Sequence, residues 1–195
     1  LKAVLNKEYN LRQEKVLSHC GILEVKGFDR LFYVSDGAMN IDPDCEAKAA
    51  IIKNAVKMAH CLGNENPVVA LLAAIEKLNP KMQPTVDAVE LVKRQAEFEG
   101  CRLVGPLGLD NAVSVEAAKH KGIENELAGR ADILIVPDIE AGNILYKSLV
   151  FMAGVESAGI IMGAKVPIVL TSRSDSAQAK VNSLALALTV GKNNG

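Results

Sequence analysis

The sequence has no tryptophan, and aromatic residues make up only 4% of its 195 positions. Base-stacking platforms and aromatic cages are therefore not expected. Neither sign of charge dominates: 22 Lys+Arg stand against 23 Asp+Glu, a formal net charge of −1. A nucleic-acid or anionic-membrane binder would show a basic surplus, so neither partner is expected. No apolar run approaches the roughly 18 residues of a membrane-spanning helix. The N-terminus lacks the basic, apolar, small-residue order of a signal peptide. Four cysteines (Cys20, Cys45, Cys61, Cys101) and three histidines (His19, His60, His120) are scattered. No zinc-type spacing results, so no metal site is expected. The cysteines read as small buried hydrophobes, and a reducing cytoplasm is the expected compartment. No GxGxxG follows a strand and no GxxxxGK[ST] occurs, which excludes the two commonest nucleotide loops. Low-complexity linkers and internal repeats are also absent. The chain begins with Leu1 rather than Met, so it is expected to be part of a longer product.

What is present is enough apolar material for a packed core: 49% of residues are hydrophobic and 23% charged. Short apolar runs at Leu31–Val34, Val68–Leu72, Ile133–Val136, Gly159–Met162 and Ile168–Leu170 alternate with helical patterns. The later runs are unbroken, as in strands covered on both faces, which predicts an α/β fold with a parallel sheet. A first helix is expected from a cap at Asp42 with Pro43 behind it. Its stripe is Ala47, Ile51, Ala55, Met58 and Leu62, and Gly63 stops it. Thr85 is expected to cap a second helix, with Val86, Val89, Val92 and Ala96 inward and Gly100 at its end. Ser114 opens a short helix that ends at Gly122. A helix from Glu140 to Ala153 is apolar on most faces and is expected to be buried. The last helix, from about Ser174 to Val190, is expected to face inward with Ala177, Val181, Leu184 and Leu188. Leu1–Glu8 reads as a helix end and Gly191–Gly195 as a disordered tail.

Four polar segments follow the apolar runs. In Val166–Ser176, Ser172, Arg173 and Ser174 stand where a strand meets a helix N-terminus, a place that favours anions. The same residues would also suit a plain cap at Ser174 or Ser176 with Arg173 as a surface charge. In Asp132–Lys147, Asn143 and Lys147 share a helix face, and Gly142 would let a ligand approach the backbone. There Asp138 or Glu140 would equally serve as a cap. Gly105–Asn111 is a tight turn that carries Asp110 and Asn111, and Val34–Asn40 is the fourth strand-end loop. Each is ordinary turn chemistry alone; four together suggest a cleft.

These stretches resemble the phosphate acetyl/butyryltransferase family, and its butyryl branch in particular. The residues that carry the likeness are SDGAMNIDPD (Ser35–Asp44), NPKMQPTVDA (Asn79–Ala88), GPLGLDNA (Gly105–Ala112), ADILIVPDIEAGNILYKSL (Ala131–Leu149) and GAKVPIVLTSRSDS (Gly163–Ser176). They run in family order over nearly the whole chain. The resemblance implies reversible acyl transfer between coenzyme A and inorganic phosphate, giving acyl phosphate and free CoA. It implies no metal and no tightly bound cofactor, with coenzyme A as a substrate. It also implies two α/β domains flanking a cleft, similar to the isocitrate/isopropylmalate dehydrogenase type, with the N-terminal part of the first domain missing. Val16–Lys165 would then be the second domain. Leu1–Lys15 and Val166–Gly195 would belong to the first. A homo-oligomer is expected.

By the same resemblance, Ser172 would contact the transferring group or CoA, and Arg173 would hold phosphate or stabilise developing charge. Asn143 and Lys147 match the family's GN…YK element. The acetyl branch carries an aspartate six positions after the arginine, proposed as a base; that position is Ala179 here. Asp175 is typical of the butyryl branch and is the expected base. An acetyl-specific relative, a catalytically silent ligand-binding module and a dehydrogenase on the similar fold remain as alternatives.

Overall fold

The computed structural model describes residues 6–192. Among them lie six strands: β1 (Ser18–Glu24), β2 (Leu31–Ser35), β3 (Val68–Leu72), β4 (Arg102–Leu107), β5 (Ile133–Ile135) and β6 (Glu156–Met162). They form one sheet in the order β4-β3-β5-β2-β1-β6. The inner pairs β3/β4, β3/β5 and β2/β5 are parallel, whereas β1 runs antiparallel to both β2 and β6. The sheet is therefore mixed. Residues 25–30 return β1 directly into β2 and leave no room for the crossover a parallel pair needs. The run Ile168–Leu170 is not a strand; it makes one bridge, Ile168 to Ile161. Pro167 removes a ladder donor just before it.

Among the described residues six α-helices flank the sheet: α1 (Cys45–Cys61), α2 (Gln83–Lys93), α3 (Leu109–Val113), α4 (Val115–His120), α5 (Ile139–Lys147) and α6 (Ala177–Lys192). The cap of α1 is Asp44, not Asp42; its carboxylate accepts the Ala47 N–H at 2.7 Å. Its stripe is nevertheless the expected one, with Ile51, Ala55 and Met58 fully buried and Gly63 at φ +88° after the end. In α2, Thr85 lies inside the helix, where its hydroxyl donates to backbone oxygens of Met82 and Asn79. The buried face is Thr85, Asp87, Ala88 and Leu91 rather than the valine stripe. Ser114 caps α4 as expected. Helix α5 ends at Lys147 and continues as a π turn over Ser148–Met152. It is not buried all round: Ile144 and Met152 are 66% and 85% exposed.

The largest correction concerns α6. Ala179, Ser183, Leu186 and Val190 face inward, while Val181, Leu184 and Leu188 are exposed. Two apolar stripes compete on this helix. The smaller side chains win because Ser183 and Ala179 must lie close to β6, where the Ser183 hydroxyl accepts the Gly159 N–H at 3.0 Å. Of the expected disordered tail, Gly191 and Lys192 are helical, and the last three residues lie outside the described range. Of the expected N-terminal helix end, Lys7–Tyr9 form a single 3-10 turn, and Leu1–Leu5 lie outside it.

Strand alternation sorts β1 onto two sides. Cys20 and Ile22 join the core beneath α1 and α2, with Leu186 and Val190 of α6. His19, Gly21 and Leu23 turn to the opposite face, where α5 packs. Cys20 and Cys101 are buried and Cys45 and Cys61 half-buried, and none of the four is in a disulfide. Burial raises all four thiol pKa values above the ordinary range, which disfavours a thiolate nucleophile.

Candidate active site

A cavity of about 200 Å³ opens on the α5 face of the sheet. That is room for several waters or a small ligand. Three of the four strand-end loops reach it. Gly37 and Ala38 come from the loop after β2, Asn143, Tyr146 and Lys147 from α5, and Leu170, Thr171, Ser172, Ser174 and Asp175 from the approach to α6. His19 and Gly159 form its floor, with Ala179 and Ser183 on the α6 side.

Each loop is held by identifiable bonds. The buried Asp36 carboxylate accepts N–H groups from Ala38, Met39 and Asn40 and the Asn40 side-chain amide at 2.6 Å. Asn143 Nδ2 donates to the Gly37 carbonyl at 3.1 Å, tying α5 to that loop. Asp138 is the α5 cap, accepting the Ala141 N–H at 2.8 Å. Near α6, Ser176 is the cap and accepts the Ala179 N–H. Ser172 and Ser174 are therefore free of capping, and their hydroxyls stand 2.9 Å apart at the cavity wall. The Asp175 carboxylate accepts the Ser172 N–H at 2.6 Å and so closes a tight turn.

Of the residues singled out in the sequence, Ser172, Asp175, Asn143 and Lys147 line this one cavity. Arg173 stands between two of the lining residues and is exposed to solvent. Gly142 is buried behind the wall, where the backbone pressed against it is that of Asp36 and Gly37 rather than a ligand. Asp110 and Asn111 belong to a separate cluster. Lys121 bonds both Asp110 (3.1 Å) and Glu76 (3.0 Å), and Asn111 Nδ2 donates to Glu76. Those hydrogen bonds with Lys121 hold the Asp110 carboxyl below its ordinary pKa.

Sequence reasoning passed over His19 and Tyr146. Their rings meet edge to face at 6.1 Å. Burial lowers the His19 pKa, with the Asp36 and then the Asp175 carboxylates opposing it. Burial raises that of Tyr146, opposed by a bond to Ser157. A usable signal existed. Glycine inside a strand marks a close approach, and Gly21 on β1 pairs with Gly159 on β6. A Cβ at Gly21 would come within 2.6 Å of the Tyr146 ring, and one at Gly159 within 2.7 Å of His19 Nε2. Among the described residues no group of three or more His, Cys, Asp or Glu is placed to hold a metal. No helix among them is long and apolar enough to cross a membrane.

Serine hydroxyls, a lysine and a helix N-terminus around a small cleft at the strand ends of a mixed α/β sheet are an arrangement that favours a bound anion. Comparison with known proteins narrows this reading. The family model described as "Phosphate acetyl/butaryl transferase" matches residues 1–188, and the chain belongs to that family. A Bacillus subtilis protein named "Probable phosphate butyryltransferase" is 53% identical over 190 residues, which are 96% of this chain and 64% of that protein. The Thermotoga maritima phosphate acetyltransferase is 48% identical over 189 residues, 96% of this chain and 64% of that protein. The crystal structure of a branched-chain phosphotransacylase from Enterococcus faecalis superposes with a TM-score of 0.90 at 41% identity. It covers 97% of this chain and 68% of that one. The chain thus spans somewhat under two thirds of the curated relatives' length.

Proposed function

We propose that the protein of which this chain is a part transfers a short acyl group, butyryl or branched, reversibly between coenzyme A and inorganic phosphate. The observation that carries this reading is the convergence of three family stretches on one small cavity. Asn143 and Lys147 sit on one wall, and Ser172 and Asp175 on the other. In this reading Ser172 contacts the acyl group or CoA, and Lys147 and Arg173 face the phosphate charge. Backbone N–H groups and fixed cations stabilise the oxyanion of the tetrahedral intermediate. Phosphate, as the nucleophile in the other direction, needs holding in line more than activating. No covalent enzyme intermediate is required.

The same reading takes residues 16–165 as the second domain of an isocitrate/isopropylmalate dehydrogenase-like pair, with 1–15 and 166–195 from the first. It is supported by the way the two crossings run side by side. The Gln13 and Glu14 N–H groups donate to the Gly163 carbonyl, and Lys165 N–H donates to Leu11. Exposed Ile144, Phe151, Met152, Leu184 and Leu188 are surfaces that a further domain or a homo-oligomer would cover. The cytoplasm is the proposed compartment.

The test is release of free CoA from butyryl-CoA on addition of phosphate by the full-length protein. Release is expected, and its absence with every short acyl-CoA overturns the reading. The similarity to an acetyltransferase makes acetyl transfer the second reading. Competition between acetyl-CoA and butyryl-CoA decides it. One or two methylenes are worth about 1–3 kcal/mol, so overlap is expected. Arg173→Ala should remove most of the rate; an undiminished rate would exclude Arg173 from the reaction.

A further inference from the structure

Two carboxylates stand near the cavity floor, and both accept backbone N–H bonds. Asp36 accepts four N–H bonds, and Asp175 closes its turn by accepting the Ser172 N–H. The remaining nitrogen base on the floor is His19. The ring meets Tyr146 edge to face, and Nε2 stands against Gly159, where any Cβ would come within 2.7 Å of it.

We propose that His19 is the base that takes the thiol proton of coenzyme A in this cavity. The proposal rests on the reading of the reaction above. The S–H bond breaks and its proton passes to the imidazole, while the sulfur electron pair attacks the acyl carbonyl carbon of the acyl phosphate. The tetrahedral intermediate collapses, the C–O bond to phosphorus breaks, and phosphate leaves with that electron pair. In the reverse direction the imidazolium returns the proton to the departing thiolate. Burial keeps the free imidazole neutral and able to accept. Asp36 and Asp175 then stabilise the imidazolium once it forms. Tyr146 of α5 meets this ring, and Lys147 of the same helix lines the cavity. Lys147 contributes a positive field that favours the thiolate.

The experiment is thioester formation from acyl phosphate and CoA by the full-length protein, compared with His19→Gln and His19→Asn, from about pH 5 to pH 9.5. At pH 7 the variants should lose about 10²- to 10⁴-fold in kcat, the usual worth of a general base, with KM for acyl phosphate little changed. The loss should shrink as pH rises past about 8.5, where a free thiol ionises without help. Wild-type turnover with undiminished variants overturns the assignment. So does a loss by the same factor at every pH, because a purely structural role gives that result. If both variants fail to fold, the wild-type profile decides. A rate that falls on acidification below the ordinary histidine pKa of about 6.5 supports His19, and a rate that stays flat down to the pH at which the protein unfolds overturns it. A wild-type protein that forms no thioester from any short acyl phosphate overturns the reading of the reaction itself.

Discussion

Gly142→Ala should lower the proposed acyl-transfer rate of the full-length protein about 100-fold or more, and Gly142→Val further, at substrate concentrations that saturate the native protein. A Cβ on Gly142 would lie 2.8 Å from Gly37 Cα, 2.8 Å from Val136 Cγ2 and 2.9 Å from the Asp36 carbonyl oxygen. Two of these three are backbone atoms, so no rotamer change relieves them. The strain has one outlet: α5 and the 36–40 loop must move apart. Both are cavity walls, and the Asn143–Gly37 bond that joins them would lengthen or break. Overpacking of this kind costs about 1–3 kcal/mol of stability, but the functional cost is greater. A displacement near 1 Å between groups that hold two reactants is worth about 10²-fold in rate. The CoA-release assay, with a thermal unfolding curve on the same sample, checks both effects. A variant with native rate and native midpoint would mean that this contact does not set the width of the cleft.

Gly142 also shows how far the site was readable beforehand. Its importance was visible in the sequence and its reason was not. A glycine in a helical turn after a strand signals close approach, and only the folded chain shows that the approaching group is another loop. The helical stripe of α1 was legible because its buried positions are its apolar ones. That of α6 was not, because both faces are apolar and contact with β6 selects the smaller residues. The parallel inner strands announced themselves as unbroken apolar runs. β1 was hidden, since its cavity face carries His19 and Gly21, one polar and one without a side chain. Asp110 and Asn111 drew attention through a turn, and the folded chain bonds them to Glu76 and Lys121 there. Local pattern thus located the loops. Which loops share a cavity depends on strand order, and no local pattern encodes it.

Lys48→Ala should destabilise the fold by about 3–5 kcal/mol, while Lys48→Met combined with Asp87→Leu should be near neutral. Lys48 on α1 and Asp87 on α2 are both buried, with Nζ and Oδ2 2.6 Å apart. The second oxygen of Asp87 accepts the Gln83 side-chain amide at 2.7 Å, so the carboxylate is fully engaged. Removing the lysine alone leaves a buried carboxylate with an amide as its main partner, and the desolvation cost is no longer offset. Removing both charges returns two helices to apolar contact, and neither desolvation cost nor ion-pair attraction then remains. A chain of this size shifts its thermal midpoint by about 2–4 °C per kcal/mol, so the single variant should melt about 10 °C or more lower. The pair lies beneath the sheet, on the α1 side, whereas the cavity opens on the α5 side. The double variant should therefore keep its acyl-transfer rate while the single variant loses folded protein. Denaturant midpoints for Lys48→Met, Asp87→Leu and the double form the cycle. A Lys48→Ala midpoint equal to the native one would show that the pair contributes nothing net. A double variant as unstable as the sum of its singles would show that the two side chains act independently.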